Sequence, residues 1–135
     1  MSAAADAKRF KEKLNADMPK FMRALALEAV GRIARRTPVD TGRARGNWQT
    51  TLGRPAVGTI EVEGSPAAMS ALAVSRAKAA VAGYKSGDIH IVNNLPYIGN
   101  LENGSSRQAP SGMVQVTVAE LQPLADRIGA RIVRT

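Results

Sequence analysis

The single histidine of the chain, His90, follows Asp88 at the two-residue spacing that puts both side chains on one face of a strand. A serine brought near them would complete a nucleophilic triad, and Ser70, Ser75, Ser86, Ser105 and Ser106 are available. None of these serines lies in a G-x-S-x-G elbow, so a solvent-facing strand histidine is the simpler reading. Glu61 and Glu63 alternate in another extended stretch and could hold a divalent ion as a nuclease does. One histidine with scattered carboxylates has no metal-ligand spacing, however, and paired carboxylates on a strand are ordinarily surface decoration. Gly83-Tyr84-Lys85-Ser86-Gly87 contains a Lys-Ser pair but lacks the preceding glycines and following helix of a phosphate loop. The absence of cysteine excludes disulfides, thiolate metal sites and a cysteine nucleophile. No catalytic, cofactor or metal residue is therefore assigned, and the chain reads as a non-enzyme.

Charge points elsewhere. Lys and Arg outnumber Asp and Glu by 19 to 11, a formal net charge of +8 that favours polyanionic or acidic partners. The cations gather in the first 36 residues, at Arg43, Arg45 and Arg54, and at Arg127, Arg131 and Arg134. Arg35, Arg36, Arg43 and Arg45 are the candidate contacts to DNA or to an acidic protein. Single-strand binding also uses stacking aromatics, and aromatics are only 4% of the 135 residues. A basic amphipathic helix could also lie on a membrane surface, but its apolar face is better used in a core. No apolar run reaches the roughly 18 residues of a spanning helix, and the start MSAAADAKRF has no export-type apolar stretch.

These residues need a scaffold, and the hydrophobic pattern supplies one α+β domain over 1–135. Phe10, Leu14, Met18, Phe21, Met22, Leu25, Ala29 and Ile33 predict a helix from about Asp6 to Arg36, after a flexible 1–5. Pro19 predicts a kink or break near residue 17, and Thr37-Pro38 ends the helix. Two strands, about 46–52 and 57–63, form a hairpin across Gly53-Arg54-Pro55-Ala56. Ser65-Pro66 starts an alanine-rich helix that stops at Gly83. A third strand spans about 88–94, and residues 97–102 form one helical turn with Tyr97 and Leu101 inward. Residues 103–111 read as a mobile polar loop. The last helix, about 112–133, takes Ser111 as its N-cap and turns Val114, Val118, Leu121, Ala125, Ile128 and Ile132 inward, with a kink at Pro123. A strand over 113–118 is the alternative there. The expected architecture is a long N-terminal helix and further helices packed on a small antiparallel sheet.

Two segments carry more than periodicity. Thr37-Pro38-Val39-Asp40-Thr41-Gly42-Arg43-Ala44-Arg45-Gly46-Asn47-Trp48 resembles the helix-end motif of the tail-completion proteins of tailed phages, small minor tail or neck components of long-tailed phages. Asn93-Asn94-Leu95-Pro96-Tyr97-Ile98-Gly99-Asn100-Leu101-Glu102-Asn103-Gly104-Ser105-Ser106 resembles a second motif of that family. Gln108-Ala109-Pro110-Ser111-Gly112-Met113-Val114 resembles the opening of its last helix. Together they span about a quarter of the chain in the family's order. The departure is Ala44, where the family usually has a larger apolar residue. Physically, Asp40 and Thr41 suit a turn, Gly42 permits positive φ, and Trp48 can seal a helix–sheet joint. Pro38, Asp40, Thr41, Gly42, Trp48, Tyr97, Leu101 and Glu102 are accordingly read as structural.

The resemblance implies a virion protein that completes tails and joins them to heads, made in the host cytoplasm. It implies a closed ring of identical copies, six-fold to match a tail tube, with the tail tube, the terminator and a head-completion or connector ring as partners. Genomic DNA would pass nearby, and no membrane or cofactor is involved. Asn103, Gly104, Ser105, Ser106, Arg107 and Gln108 are the candidate ring or partner interface. A small basic nucleic-acid-binding module is the alternative reading.

Overall fold

A computed structural model describes residues 2–39, 42–104, 106–109 and 111–133. Asp40, Thr41 and Ser105 lie outside the described residues. The elements in chain order are α1 (Ala3–Arg36), α2 (Arg43–Gly46), β1 (Gln49–Leu52), α3 (Pro66–Val81), β2 (Ile89–Val92), α4 (Ile98–Glu102) and α5 (Val114–Val133). The fold is α+β, with a long N-terminal helix and a small two-stranded antiparallel sheet.

α1 begins earlier than its apolar pattern predicts because Ser2 caps it, accepting the Ala5 amide at 3.1 Å. Pro19 does not split the helix. The carbonyl that loses its partner there belongs to Asn15, which is exposed and can take a water instead. The second half of α1 buries Ala26, Ala29, Val30, Ile33 and Ala34. The first half does not pack: residues 2–16 are all exposed, and Phe10, Leu14 and Met18 keep 70%, 47% and 47% of their surface.

α3 starts where its sequence says it should, with Ser65 accepting the Ala68 amide and Pro66 in the first turn. Its buried row, Met69, Ala73, Ala77 and Val81, steps by four residues and lies against α1 and β1. Alanine at the two central positions lets the helix approach closely. The main core joins Val30, Ile33, Ala34, Trp48, Ala73, Ala77, Ala109 and Met113, and a smaller cluster joins Ala26, Val81 and Tyr84.

The predicted hairpin is not formed. β1 pairs instead with β2, in the register Thr50 opposite Ile91 and Thr51 opposite His90. Residues 57–63 form no ladder: Gly58 turns the chain at φ +78°, and side-chain amides occupy backbone groups of Gly58 and Ile60. Asn47 both donates to the Ile60 carbonyl (3.0 Å) and accepts the Ile60 amide (2.7 Å), while Gln49 and Asn94 donate to the Gly58 carbonyl. The alternation still reports the faces correctly, since Ile60 and Val62 are half-buried and Thr59, Glu61 and Glu63 are exposed.

Two further expectations are corrected. Tyr97 is 39% exposed, because α4 begins one residue later and turns Ile98 and Leu101 onto the core. The buried face of α5 is Met113, Thr117, Leu124 and Ile128, and Val118 is 56% exposed. Thr117 can be buried because its hydroxyl donates to the Met113 carbonyl (2.8 Å) and accepts from Arg36 (2.9 Å). α5 runs through Pro123, whose unmatched carbonyl falls on exposed Ala119.

Candidate interaction site

α1 ends in a relay of buried polar groups. The Thr37 hydroxyl donates to the Ile33 carbonyl (2.7 Å) and accepts the indole N–H of Trp48 (2.8 Å). Arg45 donates to the carbonyls of Arg35 (2.8 Å) and Thr37 (2.9 Å), which α1 leaves unpaired at its C-terminus. Burial lowers the pKa of Arg45 from its ordinary value, and these bonds hold its charge against the negative end of the helix. Gly42 then turns the chain at φ +80°, where an added Cβ would lie 2.5 Å from the Gly64 carbonyl oxygen, so only glycine fits.

The second segment is fastened to this turn. Asn93 donates to the Ala44 carbonyl (2.9 Å) and accepts the Leu95 amide (3.2 Å), and Leu95 is fully buried beneath it. Gln108 clasps Val39 from both sides, accepting its amide (2.9 Å) and donating to its carbonyl (3.2 Å). Ala109 enters the main core, so the polar stretch after α4 is tied down at both Gln108 and Ala109. Glu102 caps α5: its carboxylate accepts the amides of Met113, Val114 and Gln115 at 2.9–3.0 Å. Ser111, the expected cap, is exposed. Burial alone would raise the Glu102 pKa, but the bonds from Val114, Gln115 and Met113 hold it below the usual carboxylate value.

Between the two segments lies a cleft of about 480 Å³, lined by Pro38, Val39, Gly42, Arg43, Ala44, Tyr97, Leu101, Ser106 and Gln108. From sequence, Pro38, Gly42, Tyr97 and Leu101 read as structural, Ser106 and Gln108 as interface, and Arg43 as a cation contact. The fold brings them to one surface. Comparison with family models, with curated proteins and with solved structures finds no match for the chain.

The other residues singled out from sequence are placed apart. Trp48 is buried in the core, and Glu102 sits at the head of α5. Asn103 and Gly104 close α4 through backbone bonds to Gly99 and Leu101, and Arg107 is exposed beside them. Arg36 faces α5, donating to Glu120 (2.8 Å) as well as Thr117, and Arg32 reaches the same carboxylate at 3.2 Å. The hydrogen bond from Arg36 is the main cause holding Glu120 down to about 2, and the same bond raises Arg36. Arg43 pairs with Glu61 at 3.6 Å. Arg35 is exposed and borders a second, larger depression of about 800 Å³ between α1 and α3. Three of the four proposed cation contacts thus serve bonds within the chain.

His90 and Asp88 lie outside the cleft. The Nε2 atom of His90 is buried without a hydrogen-bond partner, and Asp88 is exposed. Among the described residues, no three His, Asp or Glu side chains gather to hold a metal ion. The residues missed from sequence are the amides of Asn47, Asn93 and Asn94, which bind backbone groups far along the chain. Only their place within the two recognised segments hinted at that work.

Proposed function

We propose that this chain is a neck or tail-completion component of a long-tailed phage, and that it works by assembly rather than turnover. The observation that carries this reading is the cleft, where the two segments resembling tail-completion motifs face each other. They are far apart in sequence, and their shared polar and aromatic lining is what a docking surface needs. Tyr97 presents an exposed aromatic ring at its rim beside the Ser106 hydroxyl, a pairing common at protein interfaces. The fold supports that rim rigidly through Gln108, Asn93 and Gly42, so a neighbour meets a preformed surface.

In this reading, copies close into a ring by heterologous contacts, six-fold to match a tail tube, and dock onto the terminator or a connector ring. The internal commitment of Arg36, Arg43 and Arg45 favours a protein partner over DNA as the principal contact. Mass spectrometry of purified particles from a phage carrying this gene tests the reading. The account expects the chain in washed virions at a fixed ratio to tail-tube protein, and its absence from them would overturn the assignment.

A further inference from the structure

We infer that two copies of this chain pair through the projecting half of α1, antiparallel, about a two-fold axis at Leu14. The inference is independent of the virion reading. α5 runs back along α1 from Thr117 beside Arg36 to Gly129 beside Phe21, and so leaves the first turns of α1 uncovered. Residues 3–16 alone extend about 20 Å, and an isolated helix of that length is marginal in water. Their apolar stripe of Phe10, Leu14 and Met18 stays exposed among the described residues, an unpartnered face suited to a second helix.

The sequence of the stripe specifies the cover. Around Leu14, positions three, four and seven residues to either side share its helix face. An antiparallel copy centred there sets Leu14 against Leu14 and Phe10 against Met18, a favourable sulfur–aromatic contact made twice. It also sets Lys11 against Asp17, opposite in charge, and this pair recurs by symmetry. A parallel pair lacks that match, because it sets Lys11 against Lys11 and Asp17 against Asp17. Asp17 also holds Lys13 of its own helix at 3.1 Å.

The chain has no cysteine, so single cysteines report the register. Under mild oxidation Leu14→Cys should crosslink to itself. Phe10→Cys should not, because its two copies lie about 12 Å apart along the axis, beyond disulfide reach. A mixture of Phe10→Cys and Met18→Cys should crosslink to each other. In sedimentation, the wild type should be a dimer, Leu14→Glu a monomer, and Lys11→Asp about tenfold weaker in pairing. Adding Asp17→Lys to Lys11→Asp should restore pairing. A monomeric wild type at every concentration, whether or not it binds anionic vesicles or another protein, overturns the proposal. Equal self-crosslinking of Phe10→Cys and Leu14→Cys overturns the register.

Discussion

Removing the Glu102 carboxylate should loosen α5 from the rest of the domain. Its two oxygens hold three consecutive helix N–H groups at 2.9–3.0 Å. In Glu102→Ala the Gln115 amide, which is at the exposed end, rehydrates. The Met113 and Val114 amides are partly buried, and each costs about 1 kcal/mol when left unpaired. Loss of a negative charge at the positive end of a helix adds about 0.3–1 kcal/mol. The sum is about 2–3 kcal/mol, or about 5–12 °C in Tm for a chain of this size. Glu102→Gln keeps one acceptor oxygen and should lose about half as much, while Glu102→Asp is too short to reach and should behave like alanine. Urea unfolding followed by the fluorescence of Trp48, which packs in the cluster with Met113, reads all three. If the variants stay within about 0.5 kcal/mol of wild type, or if Gln matches Glu, the capping account is wrong.

Thr37→Val should cost about 1–3 kcal/mol in the same assay, because it strands the Trp48 indole N–H in a buried site. Gly42→Ala should be strongly destabilising, since the new Cβ meets a backbone carbonyl at 2.5 Å, whereas Gly53→Ala meets nothing and should cost only its backbone strain. On acidification, Glu102 and Glu120 protonate in the unfolded chain before the folded one. Their stabilisation is thus complete above about pH 4.5 and falls as pH drops through the folded values, down to about 2 for Glu120. Urea midpoints measured from pH 7 to pH 2 should decline more gently in Glu120→Gln than in wild type.

Local signals in the sequence were reliable where backbone chemistry alone sets the outcome. Ser65-Pro66 starts α3 and Thr37-Pro38 ends α1, because capping and proline sterics need no tertiary partner. The hairpin failed because Asn47, Gln49 and Asn94 take over the backbone groups that a second strand would have used. The face of α5 shifted because Thr117, polar by type, satisfies itself within its own helix and with Arg36. In α1, the spacing of Phe10, Leu14 and Met18 identifies an apolar face but not what covers it. The cleft was legible only in halves, since neither segment reveals that Gln108 will close on Val39.

The virion reading is tested most directly by electron micrographs of lysates from a phage lacking this gene. The account predicts full heads beside unjoined tails or tails of aberrant length, with joining restored when the chain is supplied in trans. Normal, infectious particles would contradict it.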